Sequence, residues 1–144
     1  MDQMERVEVR VGRRFDAAPE QVFDAWLDPA TAAKFLFATP TGKMFMADID
    51  ARVGGRFTFV DHRPEGDIEH VGEYLEVDRP RRLAFTFAVP EYSTDYTKVT
   101  IDIAPAGAGC ELTLVHERVL PDYGDRTQEG WEGILENLAK AISA

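Results

Sequence analysis

Residues 125–144 read DRTQEGWEGILENLAKAISA. The apolar side chains of this stretch recur at i, i+3, i+4, i+7 and i+11, which gathers them into one stripe along an α-helix. The stripe consists of Trp131, Ile134, Leu135, Leu138 and Ile142. Asp125 followed by Gln128 resembles a capping box, which predicts that the helix begins at Asp125. An apolar stripe of this length must be covered by other elements of the fold.

The rest of the chain predicts what covers this helix, because most of it alternates apolar and polar residues with the period of a half-buried strand. Residues 7–15 form the first such strand, with Val7, Val9, Val11 and Phe15 on one face. Turns rich in glycine, proline and aspartate separate six further predicted strands, at 43–51, 56–62, 68–77, 82–89, 98–103 and 111–117. Loops are predicted at 39–42 and 90–96.

Two short helices are predicted between the first strand and the other six. Pro19 starts the first helix at a position where its missing N–H costs nothing, and the Asp28-Pro29 pair ends it. The same pair begins a second helix over 30–35, with Asp28 as N-cap. The sequence therefore predicts an α+β domain. A curved antiparallel sheet wraps around a long C-terminal helix, with two short helices after the first strand.

The composition is that of a globular protein, with 44% hydrophobic and 29% charged residues in 144. A chain of this length buries roughly 68–70% of its unfolded surface, so a single domain over 1–144 is predicted. No apolar run approaches the ~20 residues that a membrane span needs. The polar start lacks the features of a secretory signal, and the single cysteine, Cys110, fits a reducing compartment, so a cytoplasmic location is predicted.

The net charge of −10 argues against nucleic acid as a partner, because binding along a phosphate backbone relies on clustered Lys and Arg. Arg79, Arg81 and Arg82 form a locally basic patch, which a solvated hairpin end explains most simply. No nucleic-acid partner is therefore predicted. The sequence is compatible with a monomer or a homodimer as the oligomeric state.

Several stretches together resemble one protein family. They are 15–29 (FDAAPEQVFDAWLDP), 53–57 (VGGRF), 72–77 (GEYLEV) followed by 82–86 (RLAFT), 112–116 (LTLVH), and Gly130-Trp131 in the last helix. Their order and spacing resemble the SRPBCC (START/Bet v 1-like) superfamily, and within it the activator of Hsp90 ATPase homologue 1-like proteins. The resemblance extends over essentially the whole chain. It implies a helix-grip fold with a cavity between the sheet and the C-terminal helix.

The resemblance implies function only in broad terms. Superfamily members bind lipids, sterols, polyketides or plant hormones, some are cyclases or dehydratases, and others are oxygenase subunits. Hsp90 activation belongs to a two-domain eukaryotic protein, and this chain resembles one of those domains. A co-chaperone role would place the protein in the stress response. Where relatives often carry tryptophans after the first helices, this chain has Phe35 and Phe37.

The implied cavity has candidate wall residues along much of the chain. They are Phe35, Phe37, Tyr74, Tyr92, His116 and Trp131. The tyrosine hydroxyls would orient a ligand against apolar walls. Trp131 is assigned to the core as well as to the cavity wall. Other aromatic residues are predicted to be structural, namely Phe57, Phe59, Phe85 and Phe87.

The chain has three histidines, and His116 is the one with a candidate role. It shares a strand face with Leu112 and Leu114, so it is interpreted either as a polar anchor or general base in the cavity, or as a histidine hydrogen-bonded to neighbouring backbone. His62 and His70 flank a turn and are predicted to pair across the hairpin. None of the spacings is that of a metal site, so neither a metal nor a cofactor is predicted.

Other chemically capable residues have simpler interpretations. Asp48 and Asp50 lie two apart, as paired catalytic carboxylates do, but apolar residues alternate with them, which predicts a solvated face. Cys110 has no basic neighbour in sequence to activate it. Neither a Ser/His/Asp order, a P-loop nor a dinucleotide fingerprint is present. The sequence therefore does not require an enzyme.

Three functions are compatible with these observations. The first is binding of an apolar or amphipathic small molecule, lipid-like or aromatic, between the sheet and the last helix. The second is an enzyme of cyclase or hydrolase type that uses the same cavity, with His116 or a tyrosine handling a proton. The third is a co-chaperone-like module that binds a chaperone or another protein, which predicts a filled interior and an exposed apolar patch of several hundred Å².

Overall fold

A computed structural model of the protein describes residues 7–36, 43–64, 66–89, 96–119 and 124–143, with the backbone alone for 43–47, 63 and 143. The elements are β1 (Val7–Phe15), α1 (Pro19–Ala25), α2 (Pro29–Phe35), β2 (Lys43–Ile49), β3 (Arg56–Arg63), β4 (Gly66–Asp78), β5 (Arg82–Phe87), β6 (Thr97–Ala106), β7 (Gly109–Val119) and α3 (Gly124–Ser143). Their order confirms the predicted one. The loop predicted at 39–42, and all but the last residue of the one at 90–96, lie outside the described residues.

The strands form one antiparallel sheet in the order β1-β7-β6-β5-β4-β3-β2. Alternate residues of β6 and β7 are buried on its inner face, as the period-two pattern predicts. A register shift in β4 places Tyr74 opposite Phe85 and Glu76 opposite Ala84, so Leu75 is an extra residue in a β-bulge. Bulges bend and twist a sheet, and this one lies beside the strands that face α1 and α2.

Helix α3 covers the inner face with the predicted stripe. Trp131, Leu135 and Leu138 are no more than 3% exposed, and the other stripe residues are half-buried against the same core. The helix packs against β1, α1 and α2. It begins at Gly124, so Asp125 lies in the first turn and not before it, where its carboxylate still suits the positive end of the helix dipole. This arrangement is the predicted helix-grip fold.

The corner between α1 and α2 is built as the Asp28-Pro29 pair predicts. Asp28 precedes α2, and its Oδ2 accepts hydrogen bonds from the backbone N–H of Thr31 at 3.2 Å and from the Thr31 hydroxyl at 2.6 Å. Pro29 takes the first helical position. The corner turns α2 back across the sheet, which brings the ends of both short helices to the inner face.

The basic patch at the β4–β5 turn is neutralised. Each of its arginines bonds an aspartate, in the pairs Arg79–Asp24, Arg81–Asp78 and Arg82–Asp102. The first pair has two contacts, of 2.7 and 2.8 Å, and joins the turn to α1. The Arg79 guanidinium lowers the pKa of the Asp24 carboxyl, chiefly through its hydrogen bonds. The solvated hairpin end predicted here is therefore a set of exposed ion pairs.

Candidate functional site

A small cavity lies between the two short helices and the sheet. Its volume is about 10 Å³, on the order of the least space that holds one water molecule. Its walls are Trp26, Leu36, Phe57, Tyr74, Leu83 and Phe85. The first two come from the ends of α1 and α2, and the others from β3, β4 and β5. The cavity therefore lies between the two layers of the fold.

The helix side of the cavity follows from the α1–α2 corner. Trp26 caps the C-terminal end of α1, and Leu36 caps the C-terminal end of α2. The Trp26 ring meets Phe35 edge to face, with centroids 5.2 Å apart and planes at 86°. Edge-to-face pairs are a favoured aromatic geometry, so Phe35 holds the indole in a fixed orientation.

The sheet side of the cavity depends on Gly72, because glycine has no side chain. Phe57 of β3 lies opposite Gly72 of β4, and a Cβ atom at Gly72 would overlap the Phe57 ring and the carbonyl oxygen of Thr86. Glycine therefore lets the ring lie flat on the strand. The Phe57 ring then contacts Tyr74 at 5.5 Å and Phe85 at 5.3 Å between centroids. These three rings form the floor of the cavity.

Two cavity residues carry polar groups. Trp26 is 2% exposed, and its indole Nε1 is buried without a hydrogen-bond partner. An unsatisfied buried donor of this kind costs about 1–3 kcal/mol. Tyr74 is 3% exposed, and burial, followed by the nearby charge of Asp50, raises the pKa of its phenol, which keeps it protonated. The cavity thus combines apolar walls with an unmatched N–H donor and a neutral phenol.

A network of polar side chains lies near the cavity, where α3 meets β7. The indole Nε1–H of Trp131 donates to His116 Nδ1 at 3.0 Å, and His116 Nε2 lies 2.6 Å from Thr97 Oγ1. The Thr97 hydroxyl in turn donates to the Phe87 carbonyl at 3.1 Å. Because an indole can only donate, Nδ1 must be the acceptor and Nε2 must carry the proton of His116. The chain of hydrogen bonds is therefore directed from Trp131 to the Phe87 carbonyl.

This network defines what His116 can do. His116 is 5% exposed, and burial lowers its pKa from 6.5 to about 4. Both ring nitrogens are occupied, so the arrangement leaves no lone pair for a general base. The expected backbone partner was wrong, since both partners are side chains. The geometry fits an anchor that fixes Trp131, and through it α3, to the sheet.

Four of the six predicted wall residues lie in the described part of the chain. Tyr74 lines the cavity, Phe35 supports the Trp26 ring, and the Trp131 ring lies 6.4 Å from the Trp26 ring without lining the cavity. His116 lies one residue further away, bonded to Trp131. The structure thus groups these residues around Trp26. Phe37 and Tyr92 lie outside the described residues.

Trp26 and Asp61 are the buried polar residues that sequence reasoning missed as site candidates. Trp26 was assigned only to the inward face of the first helix, although a buried indole normally needs an acceptor for its N–H. Asp61 is 0% exposed and continues the inner face of β3 that carries Phe57 and Phe59. In the sequence, Asp61 follows Phe57 and Phe59 at the two-residue spacing of one strand face, and this spacing could have predicted a buried carboxylate.

The predicted pairing of His62 with His70 is wrong. The β3–β4 register places His62 opposite Asp67, and His62 Nδ1 lies 2.6 Å from the Asp67 carboxylate. His70 is buried opposite Phe59 and stacks on Phe87, with centroids 6.0 Å apart. The register therefore separates the two imidazoles, one exposed and one inside.

The remaining candidates lie in two kinds of environment, one solvated and one buried. Asp48 and Asp50 are exposed, and Asp50 pairs with Arg52. Cys110 is buried, and burial raises the pKa of its thiol, which does not favour a reactive thiolate. Among the residues described, no group of three or more His, Cys, Asp or Glu side chains is placed to hold a metal ion.

The curved sheet held around a long C-terminal helix places the protein in the helix-grip class. Within that class, the model of the family described as "Activator of Hsp90 ATPase homolog 1-like protein" matches residues 16–143, and the chain belongs to this family. The resemblance noted in the sequence is thereby confirmed. A search of curated proteins gives no match.

Solved structures of bacterial proteins share the fold. A protein from Chromobacterium violaceum has a TM-score of 0.87 at 27% identity, covering 95% of this chain and 97% of its own. A Staphylococcus aureus protein of unknown function has a TM-score of 0.86 at 16% identity, covering 98% and 96%. An AHSA1-like protein from Aeromonas hydrophila has a TM-score of 0.82 at 23% identity, covering 95% and 92%. The last two show likeness of fold alone.

None of the helices in the described ranges is both long and apolar enough to cross a bilayer.

Proposed function

We propose that the protein binds an apolar small molecule between the two short helices and the sheet, at the cavity around Trp26. The observation that carries the proposal is the Trp26 indole N–H, buried without a partner in the wall of an otherwise apolar cavity. Ligand sites in proteins are concave, mostly apolar and equipped with a few polar groups, which is the chemistry of these walls. Burial of the ligand's apolar surface would supply most of the affinity.

The cavity must widen when a ligand enters. Its volume of about 10 Å³ is far below the roughly 300–1,000 Å³ of ordinary ligand sites. Leu36 lies at the C-terminal end of α2, where its N–H still donates to the Ala32 carbonyl at 2.8 Å but its own backbone is extended. We therefore expect displacement of Leu36 to open the site. If only a fraction of the molecules is open at any time, the apparent affinity for the ligand equals the affinity of the open state multiplied by that fraction.

The other predicted wall residues have supporting positions in this proposal. Tyr74 contacts the ligand, while Phe35 and Trp131 pack near the Trp26 ring. His116 fixes Trp131 through its hydrogen bond. Phe37 and Tyr92 remain predicted wall residues.

Native mass spectrometry of freshly purified protein, with solvent extraction of what it carries, tests for a bound molecule. Binding is then measured by calorimetry with naphthalene as a neutral apolar probe. Leu36→Phe adds volume to the cavity wall and is expected to weaken naphthalene binding about tenfold or more. Leu75→Phe is the matched control, because Leu75 is 43% exposed on the bulge outside the cavity. Equal binding by wild type and Leu36→Phe would contradict the proposal.

A protein-interaction module is the second candidate function, favoured by the tight packing around a cavity of about 10 Å³. Val53 and Leu75 are 64% and 43% exposed, and they lie near each other because the Gly54 N–H donates to the Tyr74 carbonyl at 2.9 Å. The family description names an activator of Hsp90 ATPase. This candidate predicts that the chain stimulates ATP hydrolysis by Hsp90 and that Val53→Asp with Leu75→Asp abolishes the effect. An unchanged ATPase rate would exclude it.

A further inference from the structure

We infer that the ligand is uncharged and carries a hydrogen-bond acceptor, such as a carbonyl oxygen, which the Trp26 Nε1–H binds. This inference rests on the proposed function and names the chemical class of the ligand. The indole is a donor only, and the Trp26 ring is 2% exposed, so neither bulk solvent nor a protein acceptor satisfies its N–H. A ligand oxygen at this position removes an existing penalty in addition to making a hydrogen bond.

The described cavity wall also disfavours ionised groups. None of its six described residues is charged and the nearby charge, on Asp50, is negative, so a carboxylate would lose its hydration without gaining a counter-ion. An ammonium group offers no acceptor to the Trp26 N–H. A ligand whose only polar group is a donor leaves the Trp26 N–H unmatched, because an indole nitrogen does not accept. A neutral acceptor on an apolar frame is the combination that the wall satisfies.

Tyr74 is the competing donor. Its phenol lines the same cavity and stays protonated, so it can also donate to a ligand oxygen. The two donors differ in how many other hydrogen-bonding arrangements each can adopt. The Tyr74 hydroxyl both donates and accepts and rotates about its C–O bond, whereas the Trp26 N–H has one fixed direction. We therefore assign the acceptor to Trp26 and use Tyr74 as the control position.

The test compares indanone with indane, which share one frame and differ in a carbonyl oxygen. In ¹H–¹⁵N spectra of the wild-type protein, indanone is expected to shift the Trp26 indole signal downfield, while indane leaves its hydrogen-bonding state unchanged. The Trp131 indole signal is the internal reference, because its N–H already donates to His116. This measurement does not depend on whether any variant folds.

Calorimetry then assigns the donor. Wild type is expected to bind indanone about tenfold more tightly than indane, the effect of one hydrogen bond to a previously unsatisfied donor. Trp26→Phe changes the cavity wall and so the affinity for both compounds, but it should bind indanone and indane with equal affinity, which removes the tenfold preference. Tyr74→Phe should keep the tenfold preference, and ionised indane carboxylate should not bind.

The outcomes separate the inference from the proposed function. If indane and indanone bind wild type equally, or if Tyr74→Phe alone removes the preference, the assignment to Trp26 is overturned while an apolar ligand site remains. If the carboxylate binds most tightly, the uncharged class is overturned. If naphthalene, indane and indanone all fail to bind, the proposed function falls and the inference falls with it.

Discussion

Trp26 and Trp131 have nearly the same burial and very different hydrogen bonding. They are 2% and 3% exposed, and their ring centroids lie 6.4 Å apart in one core. The Trp131 N–H donates to His116, whereas the Trp26 N–H has no acceptor. The comparison shows that equal burial does not imply equal hydrogen bonding, since one indole N–H is bonded within the fold and the other is not. Loss of the Trp131 N–H should therefore affect stability more than loss of the Trp26 N–H.

The largest expected effect is the dependence of stability on pH through His116. Its pKa is about 4 in the folded protein and 6.5 when unfolded, because burial disfavours the charged ring. Above pH 6.5 both states hold a neutral ring and the contribution is fully present. As pH falls from 6.5 to about 4, only the unfolded state takes up the proton, so the free energy of unfolding decreases by about 3 kcal/mol.

Denaturant unfolding at pH 7 and pH 4 measures this loss, with His116→Gln as the matched variant. Glutamine offers an acceptor and a donor for Trp131 and Thr97 but does not titrate. Carboxylates titrate in both proteins, so the difference between wild type and variant isolates His116. An identical loss in the two proteins would show that His116 is not buried in the neutral form.

The next effect comes from removing each indole N–H in turn. Trp131→Phe leaves His116 Nδ1 buried without its donor, whereas Trp26→Phe removes a donor that had no acceptor. We expect Trp131→Phe to lower the free energy of unfolding by about 1–3 kcal/mol more than Trp26→Phe does. Both variants lose similar ring volume, so each controls for the packing loss of the other. Equal destabilisation in urea unfolding would remove the distinction between the two tryptophans.

The smallest effect on stability is expected from the ion pair between Arg79 and Asp24, which lies near Trp26 in the fold. Arg79 and Asp24 join the β4–β5 turn to α1, two residues before Trp26, but their side chains are 55% and 53% exposed. Solvent screens exposed pairs, so they contribute little to stability. A double-mutant cycle with Asp24→Asn and Arg79→Gln should give a coupling smaller than either effect above, and one that decreases in high salt. A larger, salt-insensitive coupling would make this pair an anchor comparable to His116.

The fold was predictable from the sequence because burial follows periodicity. The i, i+3, i+4 stripe of α3 and the alternation along the strands each place side chains on one face, whatever their partners are. The Asp28-Pro29 corner was predictable because N-capping is a local property. These features need no knowledge of which strand lies beside which.

The site was less predictable because hydrogen bonding depends on register and on contacts between distant elements. The pairing of His62 and His70 failed once the β3–β4 register set His62 opposite Asp67. The partners of His116 come from β6 and α3, which no local pattern connects. Likewise, Trp26 becomes notable only when its N–H is found without an acceptor, a property of the whole surrounding core.

The position of β1 has a consequence for the order in which the protein is synthesised and folds. β1 is at one edge of the sheet, and its strand neighbour is β7, near the other end of the chain. During translation, β1 therefore leaves the ribosome long before the strand that pairs with it. β1 can join the sheet only after β7 has emerged, and a large loop must be ordered at that step. Until then the apolar face of β1 lacks both its partner strand and α3, which packs against it in the folded protein.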